Sequence, residues 1–262
     1  MEFLSICYDY FLLIMTVLAV VVFIILQFIT APYGMTYDTG WGASIRSNIG
    51  WMIMEVPVFV FMFLIYLFAM AFQIRPFNIV TFTIFVIFQA HYLQRAFIFP
   101  VLMRGTSRMP LSIILTGFFF NTCNAVMQGF WLFFFSPEDY YPVSWFGTPQ
   151  FIIGTLLFFA GMVINMQSDR IIRNLRSDDK DNNYYLPTGF LFDKINSANY
   201  FGELMEWVGF AILSWSFAGF VFVLWSFANI VPRAKRVYER YTQFWGDDFK
   251  KLKRYKIFPF IY

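Results

Sequence analysis

"FGELMEWVGFAILSWSFAGFVFVLWSFANIV", residues 201–231, sets the number of membrane crossings in this chain. As one helix, 31 residues would run about 46 Å at 1.5 Å per residue. A bilayer hydrocarbon core is about 30 Å thick. As two helices broken near "SWSFAG" (214–219), each half would have about 15 residues, short for a crossing unless it extended beyond this window. Charge placement arbitrates. Five of the 19 Lys and Arg lie in 168–200 (Arg170, Arg173, Arg176, Lys180, Lys194), and nine lie in the tail from Arg233 to Lys256. Cytoplasmic loops carry an excess of Lys and Arg. Both basic regions belong on that side only if an even number of crossings separates them, so two helices satisfy the rule and one does not.

Working outward, apolar helices are expected at roughly 8–30, 49–72, 79–102, 111–135 and 149–168. With the two from 201–231, the fold class is all-α: a polytopic integral membrane protein of seven transmembrane helices, N-terminus outside and C-terminus cytoplasmic. The loop after the fourth helix holds only Glu138 and Asp139, as a non-cytoplasmic loop should. The first apolar run has an acidic start (Glu2, Asp9) and no basic n-region, so it reads as a membrane helix and not a cleaved signal peptide. Two connections are long and polar: "APYGMTYDTGWGASIRSN" (31–48) and the stretch from Ser168 to Ser197.

Composition excludes a soluble domain. The chain is 59% hydrophobic and 13% charged, with 38 phenylalanines; soluble domains run near 25% charged. The two cysteines, Cys7 and Cys123, have neither metal spacing nor a disulfide framework. With one histidine a His-rich metal site is excluded. "GWGASI" (40–45) lacks the third glycine and the strand–helix frame of a dinucleotide-binding signature. No P-loop and no HExxH occurs.

Few ionisable residues then fall inside the apolar segments: Glu55, His91, Arg95, Glu203 and Glu206. Such groups mark functional sites by default. Glu55 lies about 9 Å into its helix; it either ties two helices together or acts as a buried acid able to donate a hydrogen bond when protonated. "HYLQRAF" (91–97) places His91 and Arg95 on one face, at i and i+4, with Tyr92 about 100° away. An interhelical polar network accounts best for His91, whereas a Tyr92 hydroxyl in an apolar cavity can serve as a proton donor. Asn199, Glu203 and Glu206 form a polar ladder on one face. Helix-dipole compensation explains Glu203 in part and Glu206 poorly. Arg170, Arg173 and Arg176 recur every three residues as a guanidinium stripe, suited to lipid headgroups or to a phosphate-bearing cofactor.

Taken in order, "WMIMEVP", "HYLQRAFIFP", "NAVMQG", "GMVINMQSDRIIRNLR", "YYLPTGFLFDKINSANYFGELMEWVGFAILSWS", "PRAKRVYERY" and "IFPFIY" resemble the steroid 5α-reductase family over most of the chain. "APYGMTYDTGWG" is similar to its plant and bacterial branch. The resemblance implies a single domain over 1–262, with the catalytic and cofactor half at about 111–262. It implies an NADPH-dependent 3-oxo-5α-steroid 4-dehydrogenase that reduces the 4,5 double bond of a 3-oxo-4-ene steroid. By that resemblance Glu55 and Tyr92 are catalytic, polarising the 3-oxo group. Asn165, Asp169, Arg176, Asn199, Arg233 and Tyr241 hold NADPH, with Glu203 and Tyr184 as further contacts and no metal.

The implied partners are a steroid arriving from the bilayer and the membrane lipids, with no nucleic acid; the host membrane is a bacterial inner membrane or the endoplasmic reticulum. Two other readings use the same residues: a reductase of another conjugated lipid, such as an enoyl thioester or polyprenol, and a non-catalytic lipid-binding protein. Two departures stand out. Met54 occupies a position where animal members often have Gln. In "PTGFLF", Phe190 replaces a second glycine and would narrow the backbone choices of the loop.

Overall fold

The computed structural model describes residues 2–262 apart from 177, 179, 180 and 182. Lys180, counted above among the loop cations, therefore lies outside the described residues. Among the described residues the chain is 75% helical. The long helices are α1 (Glu2–Phe28), α2 (Ser47–Ala71), α3 (Ile79–Leu102), α4 (Leu111–Phe135), α5 (Pro149–Asn174), α6 (Ala198–Ser214) and α7 (Phe217–Lys251). A short antiparallel ribbon, β1 (Ser44–Arg46) with β2 (Arg108–Pro110), sets Ser44 opposite Pro110 and ties the start of α2 to the start of α4.

Six of these helices are long and apolar enough to cross a membrane. The exception is α6, whose 17 residues span about 25 Å. The expected break is present: Trp215 turns left-handed at φ 44°, and the Ser216 hydroxyl then caps α7 by accepting from Gly219 N at 3.0 Å. A helix ending in apolar surroundings leaves carbonyls that need donors. Aromatic side chains from the loop after α4 supply them. Leu213 O accepts from Trp145 Nε1 (3.1 Å), Ser214 O from the Tyr141 hydroxyl (2.5 Å) and Trp215 O from the Tyr140 hydroxyl (2.6 Å).

Two helices outrun their expected ends. α5 continues past 168 to Asn174 because Asn165, Ser168 and Asp169 lie on a face that is still buried. α7 continues through the basic tail to Lys251, with Ala234, Tyr241 and Phe249 buried along one face and a kink at Gly246 (φ 53°). Hydropathy marks where an apolar segment stops, whereas a helix persists as long as one face has something to pack against.

α3 is the central element: 61% of its most apolar window is buried, the largest share among the candidate spans. Around it the core gathers Val58, Ile84, Phe88, Trp207, Phe210 and Phe222. α1 runs parallel to α7, as Trp225 Nε1 bonds Met15 O, the Phe23 ring meets Phe227, and Arg236 reaches Gln27 O.

The tightest pairing is between α5 and α6. Gly154 and Gly161 on α5 are seven residues apart, as are Gly202 and Gly209 on α6. A Cβ on Gly154 would lie 2.3 Å from Leu213 N, and one on Gly161 only 2.4 Å from Glu206 N. From the other side, a Cβ on Gly202 would lie 2.5 Å from Asn165 N. Backbone therefore rests on backbone, the small-residue packing of membrane helices. Because no side chain intervenes, the glycines also fix the register that aligns Asn165 and Asp169 with Asn199.

Candidate active site

The site is built where α3 changes its winding. Over Gln94–Ile98 the helix widens into a π turn, with Phe99 N bonding back to Gln94 O. Pro100 explains the adjustment, since it brings no N–H for the carbonyl of Ala96 and its ring crowds that carbonyl. Single π turns of this kind occur often at functional sites. Arg95 sits in this turn, 7% exposed, with its guanidinium stacked between Trp51 (4.7 Å) and Phe99 (4.4 Å). Arg95 bonds Asp169 Oδ2 at 3.1 Å and pairs with Glu203 Oε2 at 3.7 Å. The α5–α6 register adds Asn165 Nδ2 donating to Asn199 O (3.0 Å) and Asn199 Nδ2 donating to Asp169 Oδ1 (3.2 Å). One buried cation thus joins three helices.

One turn back along α3, His91 Nδ1 lies 2.8 Å from Glu206 Oε1, and its ring centre lies 4.3 Å from that of Trp207. This is the interhelical network expected for His91. It gives one oxygen of the fully buried Glu206 a partner, which the helix dipole did not, while Glu206 Oε2 has none among the described residues. Tyr92, 2% exposed, accepts a hydrogen bond at its hydroxyl from Asn124 Nδ2 (3.0 Å). Glu55 Oε2 accepts from Asn121 Nδ2 (3.1 Å), which also donates to Met54 O (2.7 Å). Met54 itself lies across Gly117 of α4, where a Cβ would come within 2.1 Å of its Cγ. The Met54 departure is therefore part of the α2–α4 packing.

The remaining cofactor candidates ring the polar end of the bundle. Arg233 bonds the Tyr200 hydroxyl (2.8 Å) and Tyr33 O (3.0 Å), with its guanidinium 3.4 Å from the Tyr33 ring centre. Burial raises the Tyr33 phenol above its ordinary range and Arg233 opposes the shift, so Tyr33 remains a neutral donor. Tyr241 is buried within electrostatic reach of Tyr200, Arg254 and Arg176. Arg176 and Arg104 hold one another's backbone carbonyls at 2.9 and 3.0 Å. Arg176 therefore leaves the proposed stripe, while Arg170 points outward from α5. Tyr184 is more peripheral: 37% exposed, its hydroxyl bonds Gly34 O and its ring meets Phe244.

So the structure brings Asn165, Asp169, Asn199 and Glu203 into one cluster, and sets Arg176, Arg233 and Tyr241 nearby. Glu55 and Tyr92 are each fixed by an asparagine of α4. Arg95 as the hub, and Asn121, Asn124, Gln128 and Tyr200 as partners, were not singled out from the sequence. A signal existed for three of them: spacings of three and four in "NTCNAVMQ" put Asn121, Asn124 and Gln128 on one face of an otherwise apolar helix.

A family profile described as 3-oxo-5-alpha-steroid 4-dehydrogenase matches residues 107–262. A tomato (Solanum lycopersicum) protein named Steroid 5-alpha-reductase DET2 is 34% identical over 259 residues, covering 97% of each chain. The chain belongs to the steroid 5α-reductase family. Among further steroid 5α-reductase relatives, the bovine 3-oxo-5-alpha-steroid 4-dehydrogenase 1 is 32% identical, covering 93% of each chain. Its mouse counterpart is 35% identical over 93% of this chain and 92% of its own. Steroid 5α-reductases are oxidoreductases acting on a CH–CH group with NADP as acceptor, and this member is a multi-pass membrane protein.

The donor set at the polar end suits the cofactor that steroid 5α-reductases use. Ser168 Oγ, Asn196 Oδ1 and Arg254 Nε are buried with no hydrogen-bond partner among the described residues. Burial lowers the Arg254 pKa from its ordinary value and Asp193 opposes it. Orphaned buried polar atoms of this kind are what a phosphate- and amide-bearing ligand would satisfy. The loop departure has a backbone consequence: Phe190 adopts φ 52°, directly after Gly189 at φ 79°. Phenylalanine here occupies the left-handed region that a second glycine would take without steric cost.

Proposed function

We propose that the protein reduces the 4,5 double bond of a 3-oxo-4-ene steroid to the 5α-3-oxosteroid, with NADPH as reductant. The observation that carries this reading is the pairing of Tyr92 with Asn124 and of Glu55 with Asn121, two polar side chains fixed in an aromatic interior beside the Arg95 cluster. The names of the tomato and bovine relatives support the substrate class. Bound NADPH would supply hydride to C5, with Asn165, Asp169, Arg176, Asn199, Glu203, Arg233, Tyr241 and Tyr184 holding it. Tyr92 and protonated Glu55 donate hydrogen bonds to the 3-oxo oxygen and offset the negative charge that develops there. Donors aimed at developing charge in a dry site are worth far more than in water. The wall of Phe88, His91 and Trp207 around Tyr92 keeps that site dry. Addition of a proton at C4 completes the saturation. Seven crossings, an external N-terminus, a cytoplasmic C-terminus and delivery of the steroid from the bilayer belong to the same proposal; the parallel α1–α7 pair supports the crossings.

The test is NADPH oxidation by the protein in liposomes with progesterone, testosterone and a campestenone-like sterol, set against an enoyl-CoA, with 5α products identified by mass spectrometry. Reduction of the enoyl thioester with none of the steroids would overturn the proposal. Tyr92→Phe and Glu55→Leu, each of which removes a donor, should each lower kcat by about 10²–10³, the usual loss for one oxyanion donor, with NADPH affinity retained. Wild-type turnover in both would remove them from the mechanism.

A further inference from the structure

A backbone carbonyl can only accept, and that fact sets a direction through four groups in the core. Ala218 O, in the first turn of α7, lies 3.0 Å from the side-chain amide of Gln128, so the facing atom is Nε2. The same Nε2 stands 3.3 Å from the Asn124 side chain, which must present Oδ1 to it. Asn124 is then obliged to point Nδ2 at Tyr92, 3.0 Å from its oxygen. A phenol has one proton to give. With its oxygen accepting from Asn124, Tyr92 keeps that proton for a third partner. Asn124 and Gln128 are 0% and 1% exposed, so bulk water does not reach these positions. A reversed Gln128 would set two oxygens against each other at Ala218, a buried acceptor clash that holds the chain in one sense.

We propose that Asn124 and Gln128 are positioning residues: anchored on the Ala218 carbonyl, they orient the Tyr92 hydroxyl as a donor toward substrate. The inference rests on the reading of Tyr92 above and adds to it a fixed polarity. With Asn124 turned round, its Oδ1 would capture the Tyr92 proton and remove the donor from the reaction.

A double-mutant cycle in kcat tests the idea, because it isolates coupling between residues from their separate effects. Asn124→Leu should lower kcat about tenfold when Tyr92 is present, with the KM for NADPH unchanged. In a Tyr92→Phe background the same substitution should change kcat less than about twofold, since no hydroxyl remains to orient. A purely structural role would lower kcat by the same factor in both backgrounds and would overturn the proposal. If Asn124→Leu does not accumulate as folded protein, Gln128→Leu enters the same cycle with the same two expectations. Failure of the underlying reading is a separate outcome: Tyr92→Phe alone would then turn over at the wild-type rate.

Discussion

Gly202→Ala adds one methyl where α6 meets α5, and the structure sets its consequence. The new Cβ would stand 2.5 Å from Asn165 N and 2.8 Å from Gly161 O, both backbone atoms that cannot rotate away. Ordinary contact needs about 3.4 Å or more, so the helices must part by close to 1 Å. Overpacking of this kind costs about 1–3 kcal/mol. The Asn165–Asn199 bond at 3.0 Å and the Asn199–Asp169 bond at 3.2 Å lie within one turn of the wedge. Stretching both beyond hydrogen-bond range removes about 1 kcal/mol each. The total is about 3–5 kcal/mol. Thermal unfolding in detergent measures the stability loss, and NADPH titration by fluorescence measures the site. Gly202→Ala should lose both stability and cofactor affinity, while Gly154→Ala, further from the polar cluster, should lose mainly stability. Gly147→Ala meets nothing within 4 Å and serves as the control. Wild-type melting and affinity in Gly202→Ala would refute the claim that glycine contact sets the register of the site.

Arg95→Met should destabilise by about 3–5 kcal/mol, the usual result of stripping the cation from buried carboxylates, here Asp169 and Glu203; an unchanged melting temperature would contradict the hub role. Phe190→Gly should be tolerated or mildly stabilising because it relieves the positive φ, whereas Phe190→Val should lower the melting temperature, since a β-branched residue is disfavoured there. A reporter fused after Tyr262 should be active in the cytoplasm, and one placed before α1 should be external; an external C-terminal reporter would rule out seven crossings with this orientation.

Hydropathy alone located four helices within two residues of their observed starts, because an apolar run of membrane length has few other solutions, whereas α1 begins at Glu2, about six residues before the expected start. The break at Trp215 was legible only through the placement of Lys and Arg on either side, as 201–231 otherwise reads as one apolar run. Two helix ends were not legible: α5 and α7 extend through polar residues whose opposite faces are buried. At the site, Asn199, Glu203 and Glu206 announced themselves as costly residues in an apolar setting. Arg95 was visible for the same reason, yet its centrality was hidden, because its partners lie 74 and 108 positions away in sequence.

By itself the sequence determined a predominantly helical membrane protein, its family and the polar residues set into its apolar segments. These follow from what a hydrocarbon core tolerates and from local motifs, and neither depends on which helix touches which. Tertiary structure alone decided the rest. Four glycines bring the α5 and α6 backbones into contact and so align Asp169 with Asn199. The π turn before Pro100 carries Arg95 to both acids. A backbone carbonyl of α7 sets the polarity that reaches Tyr92. Each depends on contacts between distant segments, where a hydrogen bond or an absent Cβ acts only once the partner has arrived.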